Sequence, residues 1–114
     1  HLMENAIYNE LRYRGYSVDI GNVEVNGVDE KGTKVRRMLE VDFVCNRGYK
    51  RCYIQSVLSL PDKEKTQQEL ASLLRIDDSF MKYVITGDNI MKYQNDDGIV
   101  FMDVFDFLLN KESV

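Results

Sequence analysis

The sequence predicts an α/β domain of the α+β kind with the element order α-β-β-β-α-β-β-α. Three observations lead there. An apolar stripe at helical spacing opens the chain, alternating apolar runs fill its middle, and every glycine falls at a proposed boundary, a turn or, at Gly21, a kink. The 114 residues suit a single domain, 1–114, and 44% apolar residues give it a core to bury.

Met3, Ile7 and Leu11 define the first helix, Met3 to Arg14, which Gly15 closes from the C′ position. Tyr16, Val18, Ile20, Val23 and Val25 then read as a strand, followed by a polar hairpin tip from Asn26-Gly27 to about Lys34. In the next strand the alternation sets Leu39, Val41, Phe43 and Cys45 on one face and Glu40, Asp42 and Val44 on the other. Arg47-Gly48 marks a turn, and Tyr49 to Leu58 forms the third strand. Pro61, Asp62 and Glu64 suit the first turn of a second helix running to Leu74, with Thr66, Leu70, Leu73 and Leu74 buried. Phe80 to Thr86 and Gly98 to Met102 give two more strands, and Val104 to Leu109 the closing helix.

Composition excludes several functions. A net charge of −4 argues against nucleic-acid affinity through bulk charge. No apolar run spans a bilayer and no leader pattern is present, so a cytoplasmic protein without membrane contact is expected. Cys45 and Cys52 are too few for a zinc site or a disulfide scaffold, and read as buried thiols, with a cross-strand disulfide between them as the alternative. The single His, at position 1, leaves no internal imidazole for a nucleophilic triad. Gly27 and Gly32 have the separation of a phosphate loop, but Thr33-Lys34 follow in the wrong order. The opening His1-Leu2-Met3-Glu4-Asn5 lacks an initiating Met, and a cut from a longer protein is expected.

A tight turn centred on Gly48-Tyr49 places Asp42 opposite Gln55, Glu40 opposite Val57 and Cys45 opposite Cys52. By parity the cysteines share the face of Val41, Phe43 and Ile54, away from Asp42 and Gln55. Glu4 on the first helix is within reach of the acidic face. Glu4, Asp42, the Gln55 carbonyl and Glu40 together form a candidate set of oxygen ligands for Mg²⁺ or Mn²⁺. The alternative is that Glu40 and Asp42 pair with Arg36, Arg37 or Arg51.

The helix with Glu4, the strand Glu40-Val41-Asp42-Phe43-Val44 and the strand Tyr53-Ile54-Gln55 resemble the PD-(D/E)xK, or restriction-endonuclease-like, fold. Glu4-Asn5-Ala6-Ile7-Tyr8-Asn9-Glu10-Leu11, Arg14-Gly15-Tyr16, Tyr53-Ile54-Gln55-Ser56, Asp78-Ser79-Phe80 and Gly98-Ile99 add a closer likeness. In order and spacing they resemble the C-terminal domain of unknown function in a family of bacterial AAA-type P-loop ATPases, from Leu2 to Leu109. The resemblance implies a mixed central sheet flanked by helices and an ATP-binding portion preceding this domain.

Carried over, Glu4 matches the helix acid, Asp42 the strand acid and Gln55 the third acid of a nuclease site, while Val57 occupies the place of the catalytic lysine. In such nucleases the carboxylates hold the metal and the lysine orients the attacking water. Gln55 and Val57 depart from that pattern, so the resemblance implies a degenerate, non-catalytic domain acting as an interaction or target-recognition module. It needs no cofactor of its own, and its partners are the parent ATPase in cis and a protein or nucleic-acid target.

Two alternatives remain open on the sequence. An active nuclease would take Mg²⁺ or Mn²⁺ at Glu4, Asp42, Gln55 and Glu40, with Lys63 or Lys65 as a migrated lysine and a basic rim from Arg12, Arg14, Arg36, Arg37, Lys50 and Arg51. A structural or oligomerisation domain would use the tyrosines at 8, 13, 16, 49, 53, 83 and 93.

Overall fold

A computed structural model describes residues 2–60, 66–68 and 70–114. Within them run α1 (Leu2–Tyr13), β1 (Ser17–Val28), β2 (Lys34–Arg47), β3 (Lys50–Val57), α2 (Ala71–Leu74), β4 (Met81–Thr86), β5 (Tyr93–Gln94), β6 (Ile99–Asp103) and α3 (Val104–Leu109). The six strands form one mixed sheet in the order β1-β2-β3-β4-β6-β5. β1, β2 and β3 make an antiparallel meander, β4 is parallel to both β3 and β6, and β5 is antiparallel to β6.

Apolar side chains cover both faces of the sheet. On one, Ile7 and Leu11 of α1 and Phe107 of α3 pack with Phe43, Cys45, Cys52, Ile54, Ile85 and Met102. On the other, Leu70 and Leu73 pack with Val41, Val44, Tyr53, Val57, Val84 and Phe101. The architecture is therefore a mixed sheet between helical layers, as expected for α+β. Among the described residues no helix is long and apolar enough to cross a membrane.

The local rules explain most elements. Gly15 has φ +90 and sits in a Schellman motif, where Tyr16 N–H reaches Leu11 O and Gly15 N–H reaches Arg12 O, both at 3.0 Å. The Asp103 carboxylate caps α3 by accepting from Asp106 N–H at 2.7 Å. Arg47 pairs with Lys50 and Cys45 with Cys52, so the β2–β3 register is the one the sequence specifies.

The first hairpin differs. Asn26 and Gly27 pair with Arg36 and Val35 inside the ladder, and the turn lies at residues 29–33. There Asp29 Oδ1 accepts from Lys31 N–H at 2.9 Å and from Thr33 N–H at 2.8 Å. This side-chain turn outweighs the Asn-Gly signal because it satisfies two backbone donors at once.

A bulge then reverses part of the expected facing. Asp19 pairs with Val44 but Gly21 with Val41, so one extra β2 residue lies between those two pairs. Val41 and Val44 consequently share one face, while Phe43 and Cys45 share the other. Val41 is thus not on the cysteine face, and Ile20 in β1 is 65% exposed. Gly21 is required here by close approach, because a Cβ would lie 2.5 Å from Val44 Cγ2. Replacing it with Ala is expected to cost about 1–2 kcal/mol by overpacking, read as a lower urea midpoint at unchanged slope. An unchanged midpoint would mean that Val44 swings aside freely.

Three smaller differences complete the comparison. Residues 66–68 are helical and α2 follows, whereas Pro61, Asp62, Lys63, Glu64 and Lys65 lie outside the described residues. Leu74 is 41% exposed, and Ser72 is buried with Leu73 instead. β5 is a strand the sequence does not predict; its Tyr93 stacks on Phe101 of β6 with ring centroids 4.8 Å apart.

Candidate functional site

The bulge decides what the acidic residues face. Asp42, Phe43 and Glu40 of β2 line a cavity of about 490 Å³ with Glu4, Asn5 and Tyr8 of α1 and Val18, Asp19 and Ile20 of β1. Asp42 therefore opens toward α1, on the side that also holds the cysteines, rather than away from them. Among the described residues its lining includes Glu4, Asp19, Glu40 and Asp42 and no Lys or Arg, Asp19 also lining the hollow on the opposite face of the sheet. Among the described residues, however, no group of three or more His, Cys, Asp or Glu converges closely enough to hold a metal ion.

Asp42 and Gln55 do come together, through the backbone. The Asp42 N–H donates to Gln55 Oε1 at 3.0 Å, and the Ser56 N–H donates to Asp42 Oδ2 at 2.8 Å. The β2–β3 ladder pairs end at Phe43 with Ile54, so the two side chains continue the strand linkage where the backbone pairing stops. Gln55 is 9% exposed and absent from the cavity lining. Val57, in the place of the nuclease lysine, is 6% exposed and packed among Val41, Tyr53 and Leu70. Of the predicted oxygen set, Glu4, Glu40 and Asp42 share the cavity and Gln55 serves the strands behind it. Asp19, which sequence reasoning does not single out, also lines the cavity, but it pairs with Val44, and its register aligns it with that residue rather than with the acids of β2.

Among the described residues none of the candidate basic ones lines this cavity. Arg14 points into a buried network: its guanidinium bonds Glu10 Oε2 at 2.9 Å, Phe107 O at 2.6 Å and Ser113 Oγ at 3.0 Å. Arg36 pairs with Glu24 at 3.1 Å on the exposed hairpin. The Arg47 guanidinium lies 4.4 Å from the Tyr16 ring centroid, with the Lys50 ammonium 5.7 Å away over the same ring. Arg51 lies 5.4 Å from the Tyr53 ring centroid. The Tyr53 hydroxyl donates to Asp78 Oδ2 at 2.5 Å, and burial, then that carboxylate, push its pKa up. This bond ties the middle of β3 to the segment leading into β4, a structural use for two residues that the resemblance singles out. The tyrosines divide, with Tyr16, Tyr53 and Tyr83 buried and Tyr8, Tyr13, Tyr49 and Tyr93 exposed.

No family model matches the chain, and no solved structure matches it. A protein of Haemophilus influenzae described as uncharacterized is 34% identical over 110 residues. The match covers 94% of this chain and 22% of that relative, so the chain spans about a fifth of the relative's length.

Proposed function

We propose that this chain is a non-catalytic, nuclease-like domain of the PD-(D/E)xK type that serves a larger P-loop ATPase as an interaction or target-recognition module. The observation that carries the reading is the use made of Asp42 and Gln55. Both accept backbone N–H groups where the β2–β3 ladder ends, and the neighbouring lysine position holds a core valine. A hydrolytic site would need carboxylates converging on a metal to polarise phosphate and lower the pKa of the attacking water. Loss of a charge-stabilising donor alone slows such chemistry by about 10²- to 10³-fold. ATP would bind in the preceding ATPase portion, and the recognised target is a protein or a nucleic acid.

The active-nuclease alternative keeps one observation on its side, the cavity shared by Glu4, Glu40 and Asp42. Calorimetric titration of Mg²⁺ and Mn²⁺ into the domain, alongside cleavage assays on DNA and RNA, separates the two readings. The expected result is no cleavage and no metal heat that depends on Asp42. Metal-dependent cleavage abolished by Asp42→Ala would overturn the proposal and restore the nuclease.

A further inference from the structure

Cys45 and Cys52 take no part in the site above. They are directly opposed on β2 and β3, both free and both fully buried. Opposed residues of an antiparallel pair have Cα atoms about 4.5–5.5 Å apart, inside the roughly 4.4–6.8 Å range that disulfides span. We propose that this pair is a two-thiol oxidation site, at which hydrogen peroxide closes an intrachain cross-strand disulfide in the folded protein.

The surroundings divide the two thiols into different roles. The opposed Cys45 thiol, then Lys50 and Arg47 near the hairpin end, lower the Cys52 pKa against the effect of burial. Cys45, beside the Cys52 thiol and buried, is held up. Polar groups also reach the pair from the facing elements. Burial, then the neighbouring Cys52 and Tyr16, push the Tyr83 hydroxyl pKa up, and among the described residues the buried Tyr16 hydroxyl has no hydrogen-bond partner.

The chemistry balances with peroxide alone. The Cys52 thiolate attacks one peroxide oxygen and the O–O bond breaks. The sulfur becomes a sulfenic acid, and the departing hydroxide takes the proton that Cys52 released, giving water. Cys45 sulfur then attacks the Cys52 sulfur and the S–O bond breaks. The second hydroxide takes the Cys45 proton, so two thiols and one peroxide yield one disulfide and two waters. Burial sets the size limit, because an oxidant near the size of water enters a closed core where a tripeptide disulfide does not.

The test treats the whole reduced chain with hydrogen peroxide, then counts thiols in denaturant and maps linked peptides. Arg47, Lys50 and Arg51 lie between the cysteines, so trypsin separates the two linked halves. The expected result is a fall from two titratable thiols to none, a Cys45–Cys52 linked peptide, and an unchanged monomer mass apart from the loss of about 2 Da. Native protein should resist an aromatic disulfide reagent over the same time. Cys45→Ser should stop at a sulfenic acid that dimedone traps when the oxidised protein is unfolded in its presence, and Cys52→Ser should slow thiol loss by about tenfold or more. Two thiols still titrating after methionines have oxidised, or links formed only between chains, would overturn the proposal. The mapped wild-type peptide decides the matter even where a serine variant fails to fold.

Discussion

Arg14→Ala is expected to lower unfolding stability by about 3–5 kcal/mol, the loss associated with breaking a buried, hydrogen-bonded ion pair from one side. The Arg14 side chain is 4% exposed, and it is the tie between the two ends of the chain. Its guanidinium holds Glu10 one turn earlier on α1, accepts the ring of Phe107 at 4.5 Å, and donates to Phe107 O, Asn110 O and Ser113 Oγ. The two carbonyls belong to the end of α3, where a cation also offsets the helix dipole. Truncation leaves the Glu10 carboxylate and the carbonyl Phe107 O without this donor in a largely dry setting. Native stabilities are only about 5–15 kcal/mol, so the variant is expected to be substantially unfolded at modest urea. Arg14→Lys should recover little, because an ammonium cannot reproduce a planar fork that meets four backbone and side-chain acceptors and stacks on a ring. Urea titration of the three proteins checks this. A loss under about 1 kcal/mol for Arg14→Ala would show that the network adds little beyond the packing around it.

That residue also marks where sequence reading stops. Arg14 looks like one more cation of a basic rim, and nothing within its own neighbourhood of the chain reveals partners 93 to 99 positions away. The features read correctly are local ones. Gly15 ends α1, Gly48 at φ +60 permits the two-residue turn, and that turn fixes the opposition of Cys45 and Cys52. Once a turn is placed, every pair near it follows, because register in an antiparallel hairpin is arithmetic. The same arithmetic carries an error outward. Spreading the first tip over residues 26–34, where Asn26 and Gly27 pair in the ladder and the turn occupies only Asp29 to Thr33, leaves the β1–β2 register unset.

The bulge between Asp19 and Gly21 has no periodic signature beyond an unexpected glycine, and it defeats parity. Alternation puts Asp42 opposite the cysteine face; the extra residue returns it to the side of α1, where Glu4 already is. The meeting of Glu4, Glu40 and Asp42 is therefore reached from the sequence, though by a route whose facing rule fails. β5 escapes for a simpler reason, since two residues cannot display a period, and its place depends on Tyr93 stacking against Phe101.

Asp42→Ala is expected to cost about 1.5–3 kcal/mol, and Gln55→Ala about 1–3 kcal/mol, as losses of folding stability. Each removes an acceptor from a part-buried backbone N–H: Ser56 loses Asp42 Oδ2, and Asp42 loses Gln55 Oε1. Because the two bonds bridge the same end of the β2–β3 ladder, the double variant should cost less than the sum. Asp42→Asn keeps an acceptor oxygen and gives up only the charge-assisted part, so it should retain most of the stability that Ala loses. This contrast separates scaffold from catalyst. A residue that bridges strands tolerates the amide and fails with the methyl, whereas a metal-holding carboxylate fails with both because each removes its charge. Unfolding midpoints for Asp42→Asn and Asp42→Ala, with Mn²⁺ heats measured on the same samples, therefore distinguish the roles. A stable Asp42→Asn protein that has lost a wild-type metal heat would transfer Asp42 from the architecture of the sheet to a working metal site.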